Sequence, residues 1–498
     1  MSALSPSVFW PQVSAESRRR ASLVPNLLSV AILSMGLVAW YFEIPLALAA
    51  VLPPALWLAT AAPERLVALL LLTTPLFPVL RLAEDRLNMQ QVSTKGAFLS
   101  LDDPLVTALA TIAIWRLLTR RQSRLPLFPS ALAGLACLYP LVIALNALRL
   151  DPAQSLVSLL AYLKWLQYAA LIFLIPALLP ARSIPGMLRL FRRALALSLS
   201  LSAACAVYEV AESLRTGSYT YAARFPRASA FFGTLDPLRF GASEDPVNFG
   251  CFMMVAGSIA LSYSSRCNGR GVLSGTAGVL AALLGVLLSV SRTPMLAAAV
   301  SFLKVQKIRS ARILLVVFLA IFSAGLIHLF LPSVWQSTFE RFEAILDWDA
   351  NLESSAESRL NIALNAPVFQ VDAYWIAGHG HSAYRFVAEE HLSRITRGVS
   401  RSLYNFFLTV WYDLGLAGTA LWIALFVQLL RKFRTLAAEI RHPEIQALAF
   451  GLWGATWGIL TAAFFGETPY NWRVMGFYYT AAGVCLAAAH WERRSLAR

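Results

Sequence analysis

Charged residues are scarce in this chain, and the shortage indicates its class. Of its 498 residues only 14% are charged, whereas 58% are hydrophobic and the mean hydropathy is +0.61. A soluble enzyme of this length would expose far more polar surface. Apolar runs of roughly 16 to 25 residues, enough for a helix to cross a hydrocarbon core of about 30 Å, recur along the whole sequence. The composition therefore predicts a helical bundle in a membrane.

The sequence also has few cysteines and no recognisable cleavage site near its start. The five cysteines are odd in number and fall in or beside predicted spans, so neither a disulfide framework nor a metal-ligand spacing is implied. Three arginines at 18–20 precede the first apolar run, which continues past Trp40 without a small-residue cleavage site. We therefore expect an uncleaved first span.

Hydropathy divides the chain into about fourteen spans. Several of them are short, so hairpins or re-entrant pieces are open alternatives. The predicted spans are 27–42, 44–62, 66–81, 104–118, 130–148, 156–180, 194–214, 246–264, 272–290, 293–303, 313–331, 403–428, 445–466 and 474–490.

The predicted fold class is an all-α polytopic membrane protein, with a single bundle of about 12–14 transmembrane helices and two long outward loops. Its predicted segments are a cytoplasmic N-terminus (1–26), N-terminal transmembrane helices (27–214), an Arg-rich outward loop (215–245), central transmembrane helices (246–331), a large outward loop (332–402), C-terminal transmembrane helices (403–490) and a cytoplasmic tail (491–498).

Lys and Arg cluster on alternate connections, which orients the bundle. Of the 42 basic residues, 25 fall on these connections and the two termini, against five acids. Short connections with such an excess stay in the cytoplasm, so both termini are expected there. The net charge of +15 is then an orientation signal and not evidence of nucleic-acid binding.

The first outward loop combines arginines with aromatic rings. Arg224, Arg227 and Arg239 lie among residues such as Tyr221 and Phe225. A guanidinium group binds phosphate oxygens in a bidentate manner, and aromatic faces stack on sugar rings. The loop therefore suits a phosphate-bearing glycolipid. The alternative is that these arginines pair with acids of the same loop or with lipid head groups.

The second outward loop, 332–402, is too short for an independent domain of ordinary size. We expect it to cap a cavity formed by the bundle. It contains Arg359 in its first half and His391 in its second half, and both are candidate contacts for an anionic substrate.

A glycine-rich turn lies between these two residues. It begins at Gly378 and holds His379, His381 and Tyr384. Two imidazoles at this spacing suit a metal ion, but no third ligand stands at a familiar spacing. A turn that presents polar groups to a substrate is therefore favoured over a metal site.

Other ionisable residues fall at or below the predicted membrane boundary. Arg292 lies at the outer end of a span, where substrate binding and snorkelling to the interface compete as explanations. Lys164 and Asp413 lie deeper, so each is a candidate for function or for a buried pair. Asp102 and Asp103 precede a span, where helix capping is favoured over a metal-dependent glycosyltransferase site.

Four groups of residues, taken in order, resemble the O-antigen polymerase and O-antigen ligase superfamily of bacterial envelope glycosyltransferases. Each is weak alone, whereas their joint order over roughly residues 194–430 is more specific. The groups are Asp245-Pro246-Val247-Asn248-Phe249-Gly250, Ser291-Arg292, Arg359 leading to Gly378-His379-Gly380, and Tyr404-Asn405 followed by Gly415-Leu416-Ala417-Gly418.

The resemblance implies an inner-membrane enzyme that acts at the periplasmic face. Its reaction would be an inverting transfer of a glycan from undecaprenyl diphosphate to an acceptor hydroxyl, without metal or cofactor. By position, Arg227 or Arg224 would clamp the diphosphate together with Arg359, and Asn405 would belong to the acceptor site. The implied partners are the lipid-linked donor and acceptor, the bilayer and a chain-length regulator.

One position departs from the family pattern. Ligases usually carry His-Asn, or histidine with another small polar residue, separated by nine residues from Gly-x-x-Gly, with the histidine as the proposed base; here Tyr404 occupies the position of that histidine. A phenol with a pKa of ~10 is a poor base at neutral pH. The departure favours a polymerase, or a ligase whose base lies elsewhere, with His379, His381 and His391 as the nearby imidazoles. A flippase is the remaining alternative, but such a transporter is expected to place charge at mid-membrane depth.

Overall fold

The computed structural model describes residues 50–76, 80–81, 98–99, 102–119, 130–216, 246–267, 270–289, 291–305, 375–381 and 405–496, with single positions at 32, 325, 328, 329 and 336. In chain order, the elements are α1 (Leu52–Ala61), α2 (Pro63–Leu76), β1 (Leu80–Arg81), β2 (Phe98–Leu99), α3 (Asp102–Thr119), α4 (Ser130–Cys137), α5 (Tyr139–Arg149), α6 (Pro152–Ala169), α7 (Leu171–Leu178), α8 (Ile184–Thr216), α9 (Pro246–Arg266), α10 (Arg270–Leu288), α11 (Arg292–Val305), α12 (Phe406–Glu439), α13 (Pro443–Phe465) and α14 (Trp472–Leu496). Short 3-10 turns occupy Ala181–Ser183 and Thr468–Tyr470, and β1 pairs with β2 antiparallel.

Among the described residues, five helical stretches are long and apolar enough to cross a membrane. A sixth candidate arises if α6 and α7, which meet at a bend of 44°, form one span. The prediction of an all-α polytopic membrane protein is therefore confirmed. The predicted spans 27–42 and 313–331 lie outside the described residues, apart from single positions. The five stretches are Ser130–Leu148, Ala181–Tyr208, Pro246–Arg266, Phe406–Glu439 and Pro443–Phe465.

Proline marks the start of several helices. Helices α6, α9 and α13 begin at Pro152, Pro246 and Pro443. The proline ring fixes φ near the helical value, and its missing N–H is not needed in the first turn. Each of these residues therefore sets the point at which a membrane helix begins.

Two helices extend further than their hydropathy predicts. Helix α8 begins at Ile184 instead of 194, and α12 continues to Glu439 instead of ending at 428. The basic residues near these ends, predicted to lie on connections, lie largely on the helices. They are Arg189, Arg192 and Arg193 in α8 and Arg431, Lys432 and Arg434 in α12. Arginine and lysine are good helix formers, so a helix does not stop where its apolar run stops. Arg192 of α8 also pairs with Glu444 of α13 at 2.6 Å.

The centre of the bundle is formed by α9, α13 and α14. Every residue of α14 from Arg473 to Ala489 is buried. Helix α9 packs against α10, α11 and α13. A Cβ added at Gly275 of α10 would lie 2.5 Å from the backbone nitrogen of Ser264, and one at Gly451 of α13 would lie 2.5 Å from Cα of Ile259. Small residues at such contacts let membrane helices approach closely, because packing replaces the hydrophobic effect as the attraction.

Side-chain contacts sort the helix ends into two groups. At one end, which we call the Asn405 end, the Asn405 amide donates to the carbonyl of Phe464 at 3.1 Å, and Cys251 meets Thr468 at 3.4 Å. At the opposite end Glu492 accepts from the backbone N–H groups of Arg441 and His442. The starts of α9 and α12, which follow the two predicted outward loops, thus lie at the same end. Which side of the membrane this end faces stays a prediction.

Candidate functional site

Helix α12 is broken within its third turn. Gly415 has φ 66° and ψ −168°, a conformation that residues with a Cβ rarely adopt. The break divides α12 into a short arm that begins at Phe406 and a long arm that ends at Glu439. A break at membrane depth releases N–H and C=O groups that must find partners elsewhere in the protein.

Residues 375–381, which we call the docking segment, supply those partners. The N–H of His379 donates to the carbonyl of Tyr412 at 3.0 Å, and that of Gly380 donates to Asp413 at 2.9 Å. In the other direction, the N–H of Ala417 donates to the carbonyl of Ile376 at 3.4 Å. Backbone bonds to the docking segment therefore replace the helical bonds that are lost at Gly415.

Glycine is required where the docking segment meets the bundle. Gly378 and Gly380 have φ of 78° and 107°. A Cβ at Gly378 would lie 2.5 Å from the nitrogen of Gly415, and one at Gly380 would collide with Oδ1 of Asn146. Gly378 lies against the backbone of α12, and Gly380 lies against the buried side-chain amide of Asn146. These contacts fix the register of the docking segment against α12.

A chain of hydrogen bonds ties the docking segment to two further helices. The amide of Asn146 in α5 donates to the hydroxyl of Ser158 in α6 at 2.7 Å. The Ser158 hydroxyl in turn donates to the backbone carbonyl of His381. Asn146, Ser158 and His381 are all buried. Because buried polar groups are costly to leave unsatisfied, these two hydrogen bonds stabilise the docked position.

The imidazole of His381 lies beside a buried carboxylate. Its Nδ1 is 3.9 Å from Oδ2 of Asp413, and the two side chains are 4% and 0% exposed. The ring is also packed by Tyr162 at 5.0 Å and by Tyr470 at 5.2 Å between centroids. An imidazole next to a carboxylate in an apolar bundle has the composition of a proton-transfer site.

His379 has different surroundings. Its ring stacks on Tyr412 with centroids 4.3 Å apart and an angle of 14° between the planes. Its Nδ1 lies 3.1 Å from the carbonyl of Tyr412. These contacts attach the docking segment to the short arm of α12, so the two histidines of the turn are held in different ways.

A second polar group joins α3, α6 and α14, and we call it the Lys164 cluster. Its members are Asp102, Asp103, Lys164, Tyr168 and Trp472. The ammonium of Lys164 is 3.0 Å from Oδ2 of Asp103 and 4.1 Å from the centroid of the Trp472 ring. The hydroxyl of Tyr168 donates to Asp102. Both aspartates lie in the first turn of α3, where a negative charge suits the helix dipole.

Asn405 caps α12. Its side-chain oxygen accepts from the N–H groups of Phe407 and Leu408 at 2.9 and 3.1 Å. The amide of the same side chain binds the carbonyl of Phe464, as described above. Next to it, the Thr409 hydroxyl donates to the buried carboxylate of Glu467 at 3.4 Å. Asn405 therefore joins the start of α12 to the end of α13.

The structure describes four of the predicted site residues: Arg292, His379, His381 and Asn405. It brings His379 and His381 to the break in α12. Asn405 lies at the start of the same helix, about three turns before the break. Arg292 is the half-buried first residue of α11. The remaining predicted site residues, which lie outside the described residues, are Arg224, Arg227, Arg239, Arg359, Tyr384, His391 and Tyr404.

Sequence reasoning did not select Asn146, Ser158, Tyr162 and Tyr470, which surround His381. Asn146 could have been found from the sequence, because a polar side chain inside a strongly apolar predicted span marks a candidate functional position. The others carry no such signal, since serine and tyrosine are common in membrane helices. In the described parts of the chain, no group of three or more His, Cys, Asp or Glu residues is placed to hold a metal ion.

The break and the docking segment lie inside a region that resembles known proteins. Residues 277–423 match the family model described as O-antigen ligase. The match covers less than a third of the chain and supports membership of the O-antigen ligase and polymerase superfamily. The resemblance predicted from the motifs is confirmed over these residues. No curated protein matches the chain.

The matched region has a definite place in the bundle. It includes most of α10, all of α11, the short arm of α12 with the break at Gly415, and the start of the long arm with Gly418. Asn146 and Ser158, which bind the docking segment from α5 and α6, lie outside it. The N-terminal helices therefore complete the surroundings of the break, although the family match does not reach them.

Proposed function

We propose that this membrane protein transfers a glycan from an undecaprenyl-diphosphate-linked donor to an acceptor hydroxyl, and that it acts as a polymerase of lipid-linked repeat units. The reaction takes place at the Asn405 end, which faces the periplasm in the inner membrane. The product is a surface polysaccharide. The observation that carries the proposal is the docking of a loop segment, within the O-antigen ligase match, onto a broken helix.

Broken helices at membrane depth suit the binding of polar substrates. The unwound turn places polar groups where the surrounding bundle is apolar, and the other helices satisfy the backbone. Here the turn carries Asp413, and the docking segment brings His381 to it. Tyr162 and Tyr470 add aromatic faces, which suit a sugar ring.

The leaving group sets the main chemical requirement. A lipid diphosphate gains negative charge as the sugar–phosphate bond breaks, so fixed cations that meet this charge lower the barrier. Arg227 and Arg359, on the two outward loops, are proposed as these cations. Displacement at the anomeric carbon inverts its configuration, and the proposal requires no metal ion.

A ligase that transfers a finished glycan to lipid A or to a protein is the second candidate. The description of the matching family favours it. Tyr404, in place of the family's histidine, favours the polymerase. A flippase of lipid-linked oligosaccharides would share the donor but would catalyse no transfer.

Deletion of the gene separates these functions by the lipid-linked product that accumulates. Loss of a polymerase should leave single repeat units on the lipid at the periplasmic face. Loss of a ligase should leave long lipid-linked polymer that never reaches lipid A or protein. Mass spectrometry of extracted lipids, with gene complementation as the control, measures this. Accumulation confined to the cytoplasmic leaflet would support a flippase and contradict the proposal. Unchanged lipids and polysaccharide would also contradict the proposal.

The proposed clamp predicts that charge alone is insufficient. Replacing Arg227 or Arg359 with lysine should reduce polymer formation about tenfold or more, because a point ammonium does not reproduce the bidentate guanidinium contact. Polysaccharide length and amount, compared at equal protein levels, provide the measurement. Arg182→Lys is the matched control, since Arg182 is exposed in the turn before α8. Polymer like that of the wild type from both lysine variants would mean that these arginines are not a clamp.

A further inference from the structure

We infer that His381, oriented by Asp413, accepts the proton of the acceptor hydroxyl. This inference rests on the proposed function and names a group that performs one step of it. It assigns a base to a chain that has Tyr404 at the position where the resemblance implies a histidine base. Four observations support it: the His381–Asp413 geometry, the burial of both side chains, the backbone anchoring of the docking segment and the different surroundings of His379.

The first observation is the geometry of the pair. Nδ1 of His381 faces Oδ2 of Asp413 at 3.9 Å, within ion-pair range but longer than a hydrogen bond. Catalytic hydrogen bonds are often long before substrate is bound and shorten in the reacting complex. With Nδ1 directed at the carboxylate, Nε2 is the nitrogen that accepts a proton from the substrate.

The second observation is that the pair is buried. A carboxylate that is 0% exposed at a break in a membrane helix is costly to leave without a counter-charge. When His381 takes up a proton, the imidazolium and the carboxylate form an ion pair at low dielectric. Asp413 therefore stabilises the product of proton transfer, as an orienting carboxylate does in other histidine bases.

The third observation is that backbone atoms hold the docking segment. The segment uses the N–H groups of His379 and Gly380 and the carbonyl of His381. None of these bonds involves the imidazole of His381. A substitution of that side chain therefore removes none of these backbone bonds directly.

The fourth observation separates the two histidines. Nδ1 of His379 lies against a carbonyl of the main chain, and its ring is stacked on Tyr412. A carbonyl fixes a tautomer but carries no full negative charge, so it stabilises an imidazolium less than a carboxylate does. The geometry therefore selects His381 as the base. Tyr162 and Tyr470 also face the His381 ring, at 5.0 and 5.2 Å between centroids.

Proton transfer to His381 accompanies the transfer of the glycan. The acceptor oxygen forms a bond to the anomeric carbon while its proton moves to Nε2 of His381. The bond between the anomeric carbon and the phosphate oxygen breaks, and the lipid diphosphate leaves with the electron pair. His381 then returns the proton to water or to the departing diphosphate. The acceptor hydroxyl and the donor glycan are both substrates of the proposed function, so no further reactant is required.

The test uses the full-length protein in proteoliposomes and the lipid-linked glycan extracted from a strain that lacks the gene. His381→Gln should lower kcat about a hundredfold, within the range for loss of a general base, with little change in KM. Asp413→Asn should lower kcat and move the acid limb of the pH–rate profile to lower pH, because the carboxylate no longer favours the protonated imidazole. His490→Gln, in α14 near the end opposite the Asn405 end, is the matched control and should keep wild-type activity.

The outcomes are distinguishable. If the wild-type protein does not consume the donor, the proposed function fails. If it does, and both His381→Gln and Asp413→Asn stay within threefold of it, His381 is not the base. A rise in KM alone for His381→Gln, with an unmoved pH profile for Asp413→Asn, would also overturn the inference, because it indicates a structural role. Should His381→Gln fail to fold, the pH profile of the nearly isosteric Asp413→Asn decides.

Discussion

Gly380→Ala is expected to abolish the proposed polymer formation and to lower the melting temperature of the protein in detergent. The residue has φ 107°, where a side chain costs about 1–3 kcal/mol. Its new Cβ would also collide with Oδ1 of Asn146, a fully buried side chain that is bonded to Ser158. Relief of the collision breaks the chain of hydrogen bonds to His381. We expect a total cost of about 3 kcal/mol or more, among the larger effects of single substitutions.

Gly186→Ala is the matched control for this variant. An added Cβ at Gly186 meets no atom within 4 Å, and the residue lies in the first turn of α8. Alanine favours helix over glycine by roughly 1 kcal/mol, so this variant should be as stable as the wild type or slightly more stable. A fully active Gly380→Ala protein would show that the docking segment is not held against α5 during turnover.

Lys164→Met is expected to reduce the free energy of unfolding by about 3 kcal/mol, more than a hundredfold in the folding equilibrium. The ammonium of Lys164 and the carboxylate of Asp103 are 3.0 Å apart and 11% and 13% exposed. Removal of the ammonium leaves a largely buried carboxylate without its counter-charge, which costs more than the intact pair contributes. It also removes the cation from the face of Trp472. Titration with SDS in detergent micelles measures the change.

Two further variants show whether burial causes that effect. The double variant Lys164→Met/Asp103→Asn should regain most of the lost stability, because replacing both members of a buried pair is often nearly neutral. Arg493→Met removes the cation of an exposed pair with Glu439, whose side chains are 47% and 53% exposed. That change should cost less than about 1 kcal/mol. Equal losses in Lys164→Met and Arg493→Met would contradict the assignment.

The helices were predictable because hydropathy is a strong and local signal. The predicted spans near α4, α5, α9, α10 and α13 agree with the structure to within a few residues. The signal fails where a helix leaves the apolar layer, as at the start of α8 and the end of α12. There the helix continues as a charged segment, and pairs such as Arg192 with Glu444 determine where it packs.

The polar partners were not predictable, because they are distant in sequence. Lys164 and Asp413 were recognised as candidates for buried pairs, and Lys164 does form one. Its partner Asp103 is 61 positions away, and the bond from Ser158 to His381 spans 223 positions. A charge in an apolar run indicates that a partner is needed but does not name it. Only packing of the bundle selects one.

The break at Gly415 illustrates the same limit. Residues 403–428 are apolar overall, with Asp413 as their one charged residue, and hydropathy predicts a single helix there. The break becomes stable only because the docking segment binds the released backbone groups. By contrast, the capping role of Asn405 was within reach of the sequence, since asparagine is among the most favoured residues before a helix. The resemblance implies instead that Asn405 belongs to the acceptor site, which stays a prediction.

The exchange of backbone bonds at Gly415 has a consequence for biogenesis. When α12 enters the bilayer, lipid offers no partner for the carbonyls of Tyr412 and Asp413, and each unsatisfied group costs several kcal/mol. The helix is therefore expected to insert as a continuous rod. It can open only after residues 375–381, made earlier by the ribosome, have settled against the helices that contain Asn146 and Ser158. Insertion and maturation are thus separate stages, and the broken helix is a product of assembly and not a feature of the nascent chain.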